Sequence, residues 1–177
     1  MAAIGQPVAC CYMQFMLSMA VTGGLYELIN AGTILMSVAD ILNVKGHDVV
    51  TGHSAMPVEQ IARKLANRRI GVIVIVDEQG QVEGIVSERD IVRIVAGRQN
   101  EAMAVTADTI MTRNLITCKP EDSVPTLMGT MTKHHVRHVP VVVDGKLCGL
   151  VSIGDVVKSR IADAEREAED MKRYIAG

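Results

Sequence analysis

Two short stretches hold the residue types from which a binding chemistry could be built: GIVSERD, residues 84 to 90, and GLVSIGD, residues 149 to 155. Each ends an apolar, strand-like run in a serine, Ser87 or Ser152, and places an aspartate, Asp90 or Asp155, three positions further on. Ser-x-x-Asp at such a junction marks a helix N-terminus, with the serine as N-cap and the acid at the third helical position. The same pair also suits a ligand. A carboxylate accepts from two vicinal hydroxyls at once, through charge-assisted hydrogen bonds about twice as strong as neutral ones, and the free N–H groups and dipole of a helix N-terminus favour an anion. Capping alone and capping combined with binding both satisfy the pattern, because a serine hydroxyl accepts with one lone pair and still offers its proton.

Other chemistries find less support. GLVSIG is not the Gly-x-Ser-x-Gly nucleophile elbow, since its serine stands three residues after the glycine instead of two. No Gly-x-Gly-x-x-Gly or phosphate-loop pattern follows a strand-like run. His134, His135 and His138 invite a metal reading, yet they straddle a helix end and a strand, and no Cys or acid completes a set at the usual spacing. Histidines at a helix C-terminus are already favoured there by the dipole. Cys10, Cys11, Cys118 and Cys148 lack a paired Cys-x-x-Cys spacing, which argues against a disulfide framework and for a reducing, cytoplasmic setting. No reaction, catalytic residue or metal is therefore expected.

The two Ser-x-x-Asp stretches belong to an internal repeat. Residues 49–93 align with residues 115–158 with one gap at a turn, so that Thr51 falls on Thr117, Val58 on Val124, Gly84 on Gly149, Ser87 on Ser152 and Asp90 on Asp155. Val58, Ile61, Ala62 and Leu65 have the spacing of a helix that buries one face, and Val124, Leu127, Met128 and Met131 repeat it. A β-branched run follows in each copy, Ile70 to Val76 and Val136 to Val143, then a second short strand, Val82 to Val86 and Leu147 to Val151. Asp144-Gly145 is a tight-hairpin signal in the second copy; the first has the longer turn Asp77-Glu78-Gln79-Gly80. Helices are expected after Ser87 and Ser152. Each copy is thus strand, helix, strand, strand, helix in about 60 residues, a size whose lone core is marginal, and the linker from Gly97 to Thr106 is too short for independent domains. The expected fold class is α+β, two β-α-β-β-α repeats packed about a pseudo-twofold axis.

Composition narrows the partners. The chain of 177 residues carries 18 basic and 20 acidic residues, a net charge of −2, without the basic footprint of a nucleic-acid binder. Its aromatic residues are Tyr12, Phe15, Tyr26 and Tyr174, so the repeats must build their core, and any wall for a flat ligand, from aliphatic side chains. Residues 1–35 have no Lys or Arg, and residues 8–26 are uncharged over nearly the ~20 residues that span a bilayer. Gln14, Ser18, Thr22 and Gly23-Gly24 dilute that run, and no basic flank orients it. An extension outside the fold is expected there, translated ahead of the start-like MSVADIL at Met36, in preference to a membrane anchor.

This repeat resembles the tandem CBS (cystathionine beta-synthase) domain pair, of the stand-alone, bacterial type. The carriers are GIVSERD and GLVSIGD, the leading Val-Val-Thr and Leu-Ile-Thr, and HVRHVPVVVDGKLCGLVS in the second copy. The resemblance implies repeat 1 over residues 36–100 and repeat 2 over residues 101–161, between the extension at 1–35 and a C-terminal amphipathic helix at 162–177. It also implies a regulatory sensor for adenosine-containing ligands, AMP, ADP, ATP, S-adenosylmethionine or NAD, in clefts between the repeats. Asp90 and Asp155 would accept from ribose hydroxyls, Ser87 and Ser152 would face phosphate, Thr51 and Thr117 would lie by the adenine edge, and Arg137, His138 and Pro140 would line the second cleft. The first copy departs from this, having Gly71 where the second has Arg137, and a three-residue insertion around Gly46, His47 and Asp48 precedes it. The site at Asp155 is accordingly favoured over that at Asp90.

The tail adds a partner. Val157, Ile161, Ala164, Ala168, Met171 and Ile175 form an a/d seam, flanked by i, i+4 pairs of Arg166 with Asp170 and Glu169 with Arg173. A homodimer is expected, serving an unknown regulated protein; a ligand-free structural dimerisation module and a membrane-tethered regulator are the alternatives.

Overall fold

A computed structural model of the chain describes residues 36–98 and 101–176; the expectations for residues 1–35 lie outside them. Element order is α1 (Val38–Lys45), β1 (Thr51–Gly52), α2 (Val58–Arg68), β2 (Val72–Val76), β3 (Val82–Ser87), α3 (Glu88–Arg98), α4 (Ala107–Ile110), α5 (Val124–His134), β4 (His138–Val143), β5 (Lys146–Ser152) and α6 (Ile153–Ala176). Mixed helix and strand, repeated twice, is the expected class.

The repeats match element for element. In α2 the apolar stripe Val58, Ile61 and Leu65 is buried; in α5 it is Val124, Leu127 and Met131. Both helices stop on a residue in the left-handed region, Arg69 at φ 53° and His135 at φ 54°, whose N–H turns back to the last-turn carbonyls. Antiparallel hairpins follow, β2 with β3 and β4 with β5. Asp144 (φ 50°) and Gly145 (φ 79°) make the tight turn their types predict. The first strand is less symmetric: β1 pairs in parallel with β2, whereas its counterpart in the second repeat is a single bridge between Cys118 and Val141. The hairpin tips join across the pseudo-twofold, with Val82 N–H donating to the Gly145 carbonyl at 3.2 Å.

Two helices were not legible in the repeat pattern, and they cross over. Val38, Ile41 and Leu42 of α1 join the core of the second repeat, with Val124, Leu127, Val139 and Val151. Ala107 of α4 and the following Met111 join the core of the first, with Ile61, Leu65, Ile73 and Val86. Each repeat is thus completed by the segment that precedes the other, which binds the pair together as one unit. The tail is also continuous with its repeat: α6 runs unbroken for 24 residues, through the expected division at residue 161.

Candidate binding cleft

Both Ser-x-x-Asp stretches form reciprocal caps. At the start of α3, Asp90 N–H donates to Ser87 Oγ at 3.4 Å, while Asp90 Oδ2 accepts from Ser87 N–H at 2.9 Å and from Ser87 Oγ at 2.6 Å. At the start of α6, Asp155 and Ser152 do the same at 3.3, 2.8 and 2.8 Å. A third instance stands at Ser37 and Asp40, heading α1, with the same three contacts on the exposed surface. Capping therefore accounts for the hydrogen bonds in all three places, and a ligand role must be argued from what surrounds them.

At Asp90 the surroundings form a cleft of about 440 Å3 between the repeats. The first repeat contributes Ser87 and Asp90 from the β3–α3 junction, with Arg89 and Arg93 from the first turns of α3. The second contributes Thr112, Asn114, Leu115 and Ile116 from the segment after α4, and the approach to β4, including Arg137, His138 and Pro140. Aliphatic walls come from Val72, Ile85, Leu115 and Val136. Asp90 Oδ1 is 3.5 Å from the exposed Arg93 guanidinium. The cleft thus combines a cap carboxylate, a helix N-terminus and three arginines, a set that accepts from hydroxyls and attracts an anion.

The expected residues divide accordingly. Ser87, Asp90, Arg137, His138 and Pro140 come together in this cleft; Thr51, Thr117, Ser152 and Asp155 lie outside its lining. Arg137, His138 and Pro140, assigned from sequence to the cleft of their own repeat, face the carboxylate of the other. The reason is the packing about the pseudo-twofold: β4 starts beside Gly71, where a Cβ would stand 3.6 Å from His138 Cε1. Thr51 is held in the β1–β2 ladder opposite Val74, and its carbonyl accepts from Lys64. Thr112 and Asn114, not expected from the sequence, join the lining just ahead of Leu115-Ile116, which lead into the second repeat's Thr117.

The second motif is differently surrounded. Lys45, the last residue of α1, donates to Asp155 Oδ2 at 2.7 Å and to the Leu150 carbonyl at 2.7 Å. Burial opposes ionisation of Asp155, but the Lys45 hydrogen bond and those from Ser152 outweigh it and hold the carboxyl below its ordinary value. His138 lies between the two motifs. Burial lowers its pKa; the Asp155 and Glu88 carboxylates oppose that shift, and Lys45 and Arg137 add to it. Among the described residues, no group of three or more His, Cys, Asp and Glu is arranged to hold a metal ion. Cys118 is buried and its thiol pushed up to about 12 by desolvation, with Asp122 adding.

The CBS domain model matches this chain twice, over residues 38–97 and 107–162. The chain belongs to the CBS-domain family. A mitochondrial CBS domain-containing protein of Arabidopsis thaliana, CBSX3, is 35% identical over 119 residues, 65% of this chain and 58% of that protein; the match thus spans under two thirds of this curated relative. Among solved structures, a CBS-domain containing protein from Agrobacterium tumefaciens is 40% identical with a TM-score of 0.68, over 71% of this chain and 99% of that one. A CBS domain protein from Pyrobaculum aerophilum complexed with AMP is 30% identical with a TM-score of 0.61, over 68% and 89% of the two chains. The tandem repeat is therefore a CBS pair, completed by exchanged helices.

Proposed function

We propose that this CBS pair is a non-catalytic regulatory module that binds an adenosine-containing ligand, AMP, ADP, ATP or NAD, in the cleft at Asp90. The carrying observation is the convergence there of the Asp90 carboxylate with Arg89, Arg93 and Arg137 above aliphatic walls. Asp90 accepts from the ribose hydroxyls, and the α3 N-terminus and arginines take the phosphate. Val72, Ile85 and Leu115 sandwich the base, since residues 27 to 173 include no aromatic side chain. The AMP complex of the similar Pyrobaculum aerophilum protein supports this ligand class. Because the cleft is built from both repeats, a ligand biases their relative packing and hence the contacts offered to a regulated protein.

The module acts as a homodimer in a reducing, cytoplasmic compartment. Exposed Val157 and Ile161 on α6 and Val92 on α3 support the dimer, and the buried Cys118 and Cys148, outside any disulfide among the described residues, support the compartment. No helix of the described residues is long and apolar enough to cross a membrane; residues 8–26 lie outside them.

A second reading, a ligand-free dimerisation module, draws on the Ser37–Asp40 cap, which reproduces the motif's hydrogen bonds outside the Asp90 cleft. Titration calorimetry with AMP, ADP, ATP and NAD separates the two. Saturable binding that Asp90→Ala abolishes while the melting transition survives supports the sensor. The absence of heat, and of any thermal shift, with all four ligands favours the structural module, because occupancy at 100 Kd adds about 2.7 kcal/mol of stability.

A further inference from the structure

The two halves of the pair differ at their aspartates. Asp90 Oδ2 accepts from Ser87 alone, and the nearest cation, Arg93, is 3.5 Å from Oδ1 with its side chain 71% exposed. Asp155 Oδ2 accepts from Ser152 and also from Lys45, whose side chain is 32% exposed against 20% for Asp155.

The cause is in the connection that leads into each repeat. Leu42 packs against Gly149 as Met111 packs against Gly84, so these two residues are equivalent. From Leu42 to Thr51 is nine positions, against six from Met111 to Thr117, so the first connection is three residues longer. The shorter connection leaves α4 immediately, and Thr112 exchanges two backbone hydrogen bonds with Ile85, at 3.1 and 2.9 Å. The longer one continues as helix to Lys45. At Leu150, the counterpart of Ile85, the carbonyl accepts from the Lys45 ammonium instead. The same ammonium then reaches the carboxylate. Two of its three donors are thus engaged by groups that face a cleft in the other half.

We propose that Lys45 is a built-in occupant of the second motif: its ammonium fills the place a ligand's vicinal hydroxyls take at Asp155, so the pair holds one adenosine-type ligand, at Asp90. This rests on the reading of the Asp90 cleft given above. A ligand reaches Asp155 when Lys45 withdraws, and withdrawal also unhooks the end of α1 from β5. The longer connection from Leu42 to Thr51 therefore sets the stoichiometry of the module.

Titration calorimetry of the full chain with AMP as the probe tests this. Wild type is expected to take up one AMP per chain, lost in Asp90→Ala; Lys45→Met is expected to take up two, returning to one when Asp155→Ala is added. Lys45→Gln serves in place of Lys45→Met should the latter melt early. Two AMP per chain in wild type, or one in both Lys45 variants, overturns the proposal. A silent wild type with a Lys45→Met protein that binds one AMP at Asp155 overturns the Asp90 reading and retains the plug. Silence in every variant overturns both.

Discussion

Leu42 of α1 lies across Gly149 of β5 so closely that a methyl group on Gly149 would stand 2.7 Å from Leu42 Cδ2 and 2.9 Å from Cδ1. Leu42 is 1% exposed and sits in the second repeat's core, so its methyls have nowhere to retreat. The glycine of each Gly-x-x-Ser-x-x-Asp stretch is thus the seat of the exchanged helix. Gly149→Ala is expected to destabilise by about 1–3 kcal/mol, the usual cost of overpacking, read from urea unfolding. Gly84→Ala meets the Met111 thioether and also the Thr112 carbonyl, 3.1 Å from the added carbon, so it is expected to destabilise as well. A Gly149→Ala protein as stable as wild type would show that α1 is not seated there.

Caps and ligand groups are separable by comparing serines. Ser37→Ala and Ser87→Ala each remove a side-chain cap, and each is expected to lose about 0.5–2 kcal/mol of stability. Ser37 lies outside the lining of the Asp90 cleft, so its variant should keep AMP affinity; Ser87 is part of that lining, so its variant should lose affinity as well as stability. Equal affinity in both variants assigns Ser87 to capping alone.

The repeat, its strands and its caps were legible because they rest on local chemistry: β-branched runs, Asp144-Gly145, and serine three residues before an acid. The helices α1 and α4 were not, since Val38–Lys45 and the four-residue Ala107–Ile110 bury their apolar residues in the repeat to which they do not belong in sequence. The same exchange explains why the sequence favoured Asp155. Arg137 and His138 stand near Asp155 in the second copy, and alignment places them in one site; the packing also brings them to the lining of the Asp90 cleft, with His138 still beside Asp155. Lys45 was invisible as a partner for a residue 110 positions away.

Arg137 lines the Asp90 cleft, where the proposed function gives it the phosphate. Hydrogen bonds to charged groups contribute about 1.5–3 kcal/mol, so Arg137→Gln is expected to weaken AMP binding roughly 10- to 100-fold while leaving adenosine binding nearly unchanged. Added salt should narrow the gap between AMP and adenosine in wild type. Equal losses for both ligands would move Arg137 from phosphate recognition to the shape of the cleft.

Acid should act on the second motif in a defined direction. The folded Asp155 carboxyl lies below its ordinary value, so the stability it contributes is fully present above the unfolded value of about 3.9 and is lost as pH falls through the folded one. The partly buried Lys45–Asp155 pair contributes about 1 kcal/mol. The difference between wild type and Lys45→Met should therefore hold from neutral pH to about pH 5 and shrink below the unfolded value. His138, faced by Asp155, Lys45, Glu88 and Arg137, has its pKa lowered by burial. Its neutral form suits the fold, so stability should decline as pH drops below about 6.5, and His138→Gln should flatten that slope. Urea midpoints at half-unit pH steps read both; parallel curves for all three proteins would remove these residues as the source.

The C-terminal helix carries an exposed apolar face, to which the proposed homodimer is assigned. Val157, Ile161, Met171 and Ile175 on α6 are 48%, 54%, 66% and 78% exposed, and residues 164–175 are exposed throughout, so the seam does not fold back on its own repeat among the described residues. Val92 on α3, the equivalent helix of the first repeat, is 67% exposed. Burying a large aliphatic side chain contributes about 1.5–3 kcal/mol, and a second copy of the same face is the occupant that pairs every such residue with another. Sedimentation velocity is expected to show a dimer for the full chain and a shift towards monomer when residues 162–177 are deleted. Ile161→Glu, placed mid-seam, should shift it in the same direction without shortening the helix. A truncated protein that stays dimeric while Val92→Glu dissociates it would assign the contact to the α3 face, and a dimer that survives both changes would remove these helices from the interface.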